Sequence, residues 1–545
     1  MKKKRGFLSK FLETGIWLIP IVMIGMACFL KGGIPPDQPI TGKDWLGYFG
    51  IGCVVALVFW SSNMNNLRRM NEESDGHEEA RWPKPPPDMV YYKQPTGFCF
   101  GTYGGGYVCK RVDEPGSILV QGSSGSGKSA SLIQGFLLNP ENKKNCRSLV
   151  LDLKHELADK CVAPEDVYSP RNLEGTCILM DPMDRKNGWG FDPFFLLNED
   201  STPSEVYDTC QVIAQSIVPS CKGDNKIWSD SARQYITGAL SYYYTEERLR
   251  TLPEIVAKIK AEPIKKVVEK ILTTAAPGSG AYTSIINFQD MADETITSVD
   301  LEASTRLGPF ATSQDIIWCL GNNPRKCSPK DLLEKSIYLC LPEDKLVEWG
   351  QLVFLVFNLT LKWMMGLPEK SVDPKRPYLT MILDETVALM AGLEAKMPLL
   401  SQCLRIGARS KGCTMLVCVQ SITGLYSVMG KDEADDMISN LTYKYILDST
   451  ETRASKDIIA WCGKYSRRKV GRNGDGTKRS DNYSYTEEDI VSEQDLLTLP
   501  RSGDAILVST RSGYLRLKKT MVFKDKFFKK LLENIAKKKE RGKSV

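Results

Sequence analysis

The sequence predicts an α/β fold with three parts: a mostly parallel sheet, an all-α insertion within it, and a hairpin of two transmembrane helices in front of it. Short apolar runs recur along the chain, and such runs are typical of strands buried on both faces of a parallel sheet. Residues 201–330, between two of these runs, have a helical pattern with few strand signals. Two segments without a charge, 15–30 and 45–60, precede them all.

The two uncharged segments are each sixteen residues long. As helices they would extend about 24 Å, slightly less than the ~30 Å hydrocarbon core, and neighbouring uncharged residues lengthen the second one. Basic residues at 2–5 and at 68–69 flank the pair, so the positive-inside rule puts both ends in the cytoplasm. We therefore predict a membrane anchor, with the bulk of the chain in the cytoplasm. A secretory signal peptide is the alternative, but it leaves the second segment unexplained.

The composition agrees with a mostly globular body in a reducing compartment. The net charge is +6, and the apolar and charged fractions, 42% and 25%, are ordinary. The 16 cysteines are scattered without a Cys-x-x-Cys pair, and the two histidines are His77 and His155. This pattern favours free thiols and gives no support to a Cys/His zinc site. Residues 63–97 become polar and then proline-rich, which indicates a semi-rigid linker.

The segment GSSGSGKS matches the phosphate-binding pattern G-x-x-x-x-G-K-[ST] in full. The apolar run SILVQ precedes it and a helical run follows it, which is the order of strand, loop and helix that such a loop needs. Lys128 is expected to reach the β- and γ-phosphates and Ser129 to hold Mg²⁺, so the predicted cofactors are ATP and Mg²⁺. The predicted nucleotide-binding residues are Gly122, Ser123, Ser124, Gly125, Ser126, Gly127, Lys128, Ser129 and Ala130.

Further apolar runs predict the other strands of the sheet. One of them ends in two acids, so that Asp384 would bind the metal and Glu385 would act as a general base toward water. The alternative is an acidic pair that only caps the next helix. Gln420 ends another run and is a candidate sensor of the γ-phosphate, or else an ordinary polar residue at a strand end. The predicted strands are 148–153, 177–181, 336–341, 378–385, 414–420, 444–448 and 504–509.

Basic residues form two further clusters. Arg405, Arg409 and Lys411 follow a helical run, and one of these arginines is a candidate finger toward the phosphate of a neighbouring subunit. Each of them taken singly is better explained as a surface charge. Residues 464–485 combine basic residues with tyrosines, which predicts either a loop that binds nucleic acid or a basic hairpin tip.

Taken in order, these motifs resemble the type IV secretion coupling proteins, the TraG/TraD-like ATPases of bacterial conjugation. DLKHEL (152–157) is similar to D-P-K-G-E-L in that family, although Leu153 and His155 replace its Pro and Gly. NGWGFDPF (187–194) is similar to the family's aromatic-Asn-Pro segment, and IWSDSARQYITGAL (227–240) to one of its helices. The LDE motif and the arginine segment after it resemble the family's second carboxylate motif.

The resemblance implies a RecA-like P-loop NTPase domain that works as a homo-hexameric ATPase at the bacterial inner membrane. As partners it implies DNA, a relaxase with its relaxosome proteins, and components of the type IV secretion channel. For Asp152, Lys154 and Glu156, the resemblance implies membership of the shared motif and no particular role. It implies an arginine finger acting in trans and the catalytic residues Lys128, Asp384, Glu385, Arg409 and Gln420.

Three functions stay open. The chain either drives DNA or nucleoprotein through a channel, or recruits protein effectors to one, or binds ATP only to organise assembly. A chromosome-partition translocase fits less well, because a long linker and a C-terminal DNA-reading domain are missing from the sequence. The predicted segments are the anchor (1–62), the linker (63–97), the two parts of the nucleotide-binding domain (98–200 and 331–522), the all-α insertion (201–330) and a basic tail (523–545).

Overall fold

The computed structural model describes residues 82–219, 226–392, 398–473 and 480–543. The predicted transmembrane hairpin (1–62) and most of the predicted linker lie outside these residues. Within the described ranges, no helix combines the length and the apolar character needed to cross a membrane. Residues 84–464 and 488–545 form one compact unit, and residues 465–487 belong to a second one.

Most strands of the described chain belong to one sheet, in the order β1-β3-β2-β16-β15-β12-β4-β11-β10-β5-β9-β6. The strands are β1 (Val90–Tyr91), β2 (Phe98–Tyr103), β3 (Gly106–Lys110), β4 (Ile118–Gln121), β5 (Cys146–Leu153), β6 (Cys177–Met180), β7 (Gly190–Phe191), β8 (Lys326–Cys327), β9 (Ser336–Leu341), β10 (Tyr378–Leu383), β11 (Cys413–Val419), β12 (Tyr443–Ile446), β13 (Lys464–Asn473), β14 (Ser480–Asp489), β15 (Asp504–Ser509) and β16 (Gly513–Lys518).

The seven strands from β12 to β6 in this order are all parallel. The other five form an antiparallel extension at one edge of the sheet. Every residue of β11 is buried, so both faces of the sheet are covered at its centre. The predicted α/β fold with a mostly parallel sheet is therefore confirmed.

One of the predicted strands runs antiparallel to its neighbours in the sheet. The run at 504–509 forms β15, which pairs antiparallel with β12 through Ile446 and Ile506. A short turn then leads from Ser509 to Gly513, where β16 runs back along β15. An apolar run indicates burial on both faces but carries no information on direction, because direction depends on the length of the connection that follows the strand.

Helices follow or separate the strands. They are α1 (Gln134–Leu138), α2 (Pro140–Asn145), α3 (Glu156–Cys161), α4 (Pro203–Ile217), α5 (Lys226–Thr245), α6 (Leu252–Ala261), α7 (Ile264–Thr274), α8 (Gly280–Ile285), α9 (Asp293–Thr312), α10 (Gln314–Ile317), α11 (Leu346–Gly366), α12 (Thr386–Gly392), α13 (Pro398–Gln402), α14 (Ile422–Met429), α15 (Lys431–Asn440), α16 (Thr452–Cys462), α17 (Glu493–Ser502) and α18 (Lys526–Lys543). Short helical turns lie at Pro87–Met89, Ser129–Ile133, Pro164–Asp166, Ile286–Phe288, Trp318–Asn322, Pro329–Leu333, Glu343–Lys345 and Cys403–Gly407.

The segment between β7 and β8 is helical. In its described part it holds α4 to α10 and no strand. Thr202 starts α4 with a capping box, in which its N–H donates to the Glu205 carboxylate at 2.8 Å. The long helix α11 holds this segment to the sheet domain: Gln351 Nε2 donates to Ile217 O, and Asn358 Nδ2 donates to Ser216 Oγ, both at 3.2 Å. The helical segment and the sheet thus share one compact unit, while the domain boundaries themselves stay a prediction.

The basic segment, residues 465–487, lies in the second compact unit. β13 and β14 pair with each other as a two-stranded sheet. Residues 474–479 between these strands, with Lys478 and Arg479, lie outside the described residues. That this segment contacts DNA therefore stays a prediction.

Candidate nucleotide-binding site

The phosphate loop leaves the carboxyl end of β4 at Gln121 and enters a helical turn at Ser129 that continues into α1. Two of its glycines have left-handed backbone, with φ of 79° at Gly125 and 96° at Gly127. A Cβ atom at Gly122 would lie only 2.3 Å from Ser126 Oγ. Glycine is therefore required at each of these positions, since other residues are strained there or collide with the loop itself.

Lys128 lies at the mouth of this loop and is 6% exposed. Its ammonium donates to Gly122 O at 2.8 Å and to Ser123 O at 3.4 Å. It also lies 3.8 Å from Glu385 Oε1, at the end of a different strand. The loop thus holds one cation beside the carboxylates that the sequence predicted as its partners.

Asp384 follows β10 directly and meets the phosphate loop. Ser129 Oγ donates to Asp384 Oδ2 at 3.0 Å. The second oxygen, Oδ1, is shielded from solvent and has no hydrogen-bond partner among the described residues. Burial and, secondarily, the nearby charge of Glu385 raise the pKa of Asp384 from 3.8 to about 6, although Ser129 and Lys128 oppose this shift. A carboxylate in this position is short of a positive partner.

These oxygens suit a hard divalent cation. Mg²⁺ prefers oxygen ligands and is usually held by one or two protein groups together with water and phosphate oxygens. The hydroxyl of Ser129 and the unpartnered oxygen of Asp384 fit this requirement. In the described residues, no group of three or more histidine, cysteine or acidic side chains is arranged to hold a metal ion.

Glu385 and Gln420, each of which follows a strand of the sheet, also meet. β10 and β11 are neighbours and parallel, with Leu383 opposite Val417. Gln420 Nε2 therefore reaches Glu385 Oε2 and donates to it at 2.8 Å. Glu385 has φ of 60°, an unusual conformation for a residue other than glycine, and such strain is frequent at functional sites.

Two residues at this site were missed by sequence reasoning. Asp448 follows β12, the other neighbour of β4, and accepts hydrogen bonds from Ser123 N at 2.7 Å and from Ser123 Oγ. Lys519 comes from the segment after β16 and donates to Ser126 O at 2.7 Å. The acid at the end of KYILD was a usable signal for Asp448, whereas no sequence pattern marks Lys519.

A cavity of about 340 Å³ lies beside the phosphate loop. Ser123 and Ser124 line it from the loop, and Gln420 from the end of β11. Asp448 and Glu451 add two carboxylates to its lining, and Glu451 accepts a hydrogen bond from Ser421 Oγ at 2.6 Å. The cavity thus lies between the first residues of the phosphate loop, the strand end at Gln420 and two acidic side chains.

Arg409 does not join this site within the chain. It is exposed and lies in the turn before β11, where Gly412 N donates to Arg409 O at 3.4 Å. The phosphate loop lies at the carboxyl end of the same layer of strands, and the seven residues of β11 separate these edges by about 20 Å. Arg405 is engaged elsewhere, with its Nε 3.5 Å from Asp436 Oδ2.

The DLKHEL motif has a structural role at its acidic residue. Asp152 is buried and accepts hydrogen bonds from Leu157 N at 3.0 Å and Ala158 N at 2.7 Å, so that it holds the start of α3. Lys154 and His155 have φ of 87° and 59° where the family motif has its Lys and Gly. The left-handed conformation at His155 explains why glycine fits the family's motif at that position.

The comparisons with known proteins agree with this architecture. The sequence profile of the family described as "Type IV secretory system Conjugative DNA transfer" matches residues 80–544. No curated protein sequence matches the chain.

Among solved structures, the bacterial conjugative coupling protein TrwBdeltaN70 in its unbound form is similar, with a TM-score of 0.60 and 18% identity over 77% of this chain and 88% of that chain. TrwB in complex with ADP and Mg²⁺ has a TM-score of 0.58 and 18% identity, over 80% of this chain and 91% of that chain. TrwB with the GTP analogue GDPNP has a TM-score of 0.57 and 19% identity, over 75% of this chain and 86% of that chain. At these identities the likeness shows the fold, which is the RecA-like fold that the motifs implied. Since the profile covers most of its length, the chain belongs to the family of type IV secretory system proteins of conjugative DNA transfer.

Proposed function

We propose that this chain is the coupling ATPase of a conjugation system, a hexamer at the inner membrane that passes DNA with its relaxase into a type IV secretion channel. The observation that carries the proposal is the convergence of Lys128, Ser129, Asp384, Glu385 and Gln420 at the carboxyl ends of three neighbouring strands. All of these except Gln420 correspond to the groups that hold a nucleotide and its metal and activate water in P-loop motors. The similar TrwB structures with bound nucleotide support ATP as the ligand.

The phosphate loop supplies the binding part of the mechanism. Its backbone N–H groups and the start of the helix at Ser129 favour the negative charge of phosphates. Lys128, held at the mouth of the loop, neutralises charge on the β- and γ-oxygens. Ser129 and Asp384 are the residues that would hold Mg²⁺, which draws charge from the phosphate oxygens when it is bound.

Glu385 is the general base of this proposal. It accepts a proton from water as the water oxygen forms a bond to the γ-phosphorus and the bond from that phosphorus to the leaving oxygen breaks. Gln420 donates to Glu385 and fixes the direction of its carboxylate. Because the same amide lies beside the cavity at the phosphate loop, it is placed to register whether the γ-phosphate is present.

Arg409 acts on the nucleotide of the neighbouring subunit in this proposal. Its place at the opposite edge of the sheet rules out a contact with the phosphate loop of its own chain, whereas a ring brings that edge to the next subunit. An arginine finger contributes about 10³–10⁵ in rate in P-loop GTPases. Mixing Arg409→Ala with Lys128→Ala subunits tests this, because the first keeps an intact phosphate loop and the second keeps the arginine. Recovered ATPase activity in the mixture supports the ring. No recovery in stable mixed oligomers contradicts it.

The remaining parts of the proposal are the membrane anchor, the cytoplasmic location and the partners, for which the sequence pattern and the family's role in conjugative DNA transfer are the support. Residues 1–62 anchor the chain in the inner membrane, and the bulk of it lies in the cytoplasm, where relaxase and DNA are available. Contacts with DNA are sequence-independent and cationic, as a motor that moves along a backbone requires. The channel components of the secretion system receive the cargo.

The direct test is the ATPase rate of the full-length chain with and without single-stranded and double-stranded DNA. We expect DNA to stimulate the rate, and Lys128→Ala and Glu385→Gln to abolish both hydrolysis and DNA transfer in cells. Lys266→Ala, on the helical insertion, is the matched control and should change neither. Hydrolysis without any response to DNA favours a coupling ATPase for protein effectors, and intact transfer by Glu385→Gln favours a receptor that uses ATP only for assembly.

A further inference from the structure

A second cleft, larger than the cavity at the phosphate loop, lies at the other edge of the sheet. Its volume is about 790 Å³, within the range of ligand-binding sites in proteins. It is lined by the loop between β3 and β4, by α2, by Arg147 at the start of β5 and by residues 370–378 before β10. The strands β4, β5 and β10 run in the same direction, and the cleft lies where they start, whereas the phosphate loop lies where they end. The distance between the cleft and the phosphate loop is the length of β10, about 16 Å. Within one chain, the cleft is therefore separate from the phosphate loop.

The cleft is strongly cationic. Six of its lining side chains are basic and two are acidic, which leaves a formal charge of +4. One acid, Asp113, is already paired with Arg111 at 2.8 Å. The charge is therefore concentrated on the side chains of Lys144, Arg147, Lys370, Lys375 and Arg376.

The inner cations of the cleft are held mainly by backbone carbonyls. Lys370 Nζ donates to Pro374 O at 2.8 Å, Arg376 Nη2 to Lys411 O at 2.8 Å, and Arg147 Nη1 to Lys143 O at 2.6 Å. A carbonyl fixes the position of a cation without neutralising it. This wall therefore keeps its cations in place and leaves their charge largely uncompensated.

Arg376 is the clearest case, because it is buried, with 6% exposure. Two of its nitrogens, Nε and Nη1, have no hydrogen-bond partner among the described residues, and Asp373 Oδ2 is 3.8 Å from Nε. Burial and then the charge of Arg376 lower the pKa of Lys370, so these two cations repel each other, although Asp373 partly opposes the effect. Buried charge of one sign is costly unless an opposite charge approaches.

The shape and chemistry of the wall indicate the kind of anion. Guanidinium groups match phosphate oxygens with paired hydrogen bonds. Tyr91 and Tyr378 are only partly buried in the same wall and offer aromatic surface for a base. We propose that this cleft is a second, non-catalytic binding site for nucleotide phosphates, contributed either by a free nucleotide or by a single-stranded DNA segment. The inference goes beyond the ATPase function and does not depend on it.

Lysine footprinting of the full-length protein tests the proposal at residue resolution. The chain is acetylated with and without an oligothymidylate or inorganic tripolyphosphate, and the modified lysines are quantified by mass spectrometry. At ten times the dissociation constant of a probe, acetylation of Lys144, Lys370 and Lys375 should fall by about tenfold. Lys266, on the helical insertion, is the unprotected control. Protection by the oligothymidylate alone assigns the site to DNA, and protection by tripolyphosphate assigns it to free nucleotides.

A charge reversal at the rim completes the test. Lys144→Glu combined with Lys375→Glu changes two exposed residues outside the ATP site, so the fold and basal ATPase activity should persist. Protection of Lys370 should be lost in this variant and kept in Lys266→Glu, while ATP still protects Lys128 in both. Absence of protection by both probes, or protection of Lys370 that survives the reversal, overturns the proposal whatever the ATPase result.

Discussion

Replacing Asp384 by asparagine should stabilise the nucleotide-free protein at neutral pH even though it removes a residue of the candidate site. Asp384 has a pKa raised from 3.8 to about 6, chiefly by burial. The folded state therefore binds a proton more tightly than the unfolded state. Ionising this carboxyl costs stability above pH 6, and the cost disappears as the pH falls toward 4.

The size of the effect follows from this pKa shift. A shift of about 2 units corresponds to ~3 kcal/mol of lost stability once the carboxyl is ionised. Asparagine cannot ionise, but its amide nitrogen is left without a partner at a cost of about 1 kcal/mol. We expect a net gain of about 2 kcal/mol at pH 7.5 and none near pH 4.

Urea unfolding of the full-length chain, followed by tryptophan fluorescence at pH 4.5 and 7.5, measures this difference. Asp290→Asn, at an exposed position, is the control and should leave stability unchanged at both values. Mg²⁺ together with ATP should stabilise the wild type and not the variant, so that the wild type becomes the more stable of the two proteins. The reasoning is refuted if the Asp384→Asn protein is no more stable than the wild type at pH 7.5, or if its advantage is the same at both pH values.

Three further predictions concern the residues around the phosphate loop. Lys519→Ala removes the charged hydrogen bond to Ser126 O and should raise the KM for ATP about tenfold, with a smaller change in kcat. The control is Lys518→Ala, which should leave KM unchanged because the Lys518 ammonium pairs with Asp504 outside the site. Asp448→Ala should lower thermal stability, equivalent to about 1–3 kcal/mol, and weaken nucleotide binding in calorimetry, because the loop loses its anchor at Ser123; unchanged binding would contradict that role. Gly125→Ala and Gly127→Ala should each cost about 1–2 kcal/mol of stability, since both glycines have positive φ; a melting temperature equal to that of the wild type in either variant would argue against this.

Much of the sheet could be predicted from the sequence, because burial on both faces imposes a local pattern. The predicted runs that form β5, β9, β10 and β11 are mostly apolar, and their bounds differ from the observed strands by at most two residues at either end. In the antiparallel extension, β15 was predicted as a strand, but β1, β2, β3 and β16 were not. β3 has the sequence GYVCK, which mixes glycine, a partly exposed tyrosine and a lysine with only two apolar residues, so no continuous apolar run marks it.

The candidate site divides in the same way. Lys128 and Ser129 were predictable because the loop carries its whole function in eight consecutive residues. Asp384 and Glu385 were predictable because two acids close an apolar run. Lys519 was not predictable, since its contact with Ser126 joins residues separated by 393 positions and depends on the turn after β16.

The sequence by itself determined the chemistry of this protein: a phosphate loop, an acidic strand end, an amide at another strand end, and the strands that carry them. Only the tertiary structure decided which of these groups meet. It brought Gln420 to Glu385 and Asp448 to Ser123, left Arg409 at the far edge, and formed a cationic cleft from five separate segments. The physical reason is that strand identity is set by local burial, whereas strand order and direction are set by packing between distant segments, and the order of the strands decides which strand ends are neighbours.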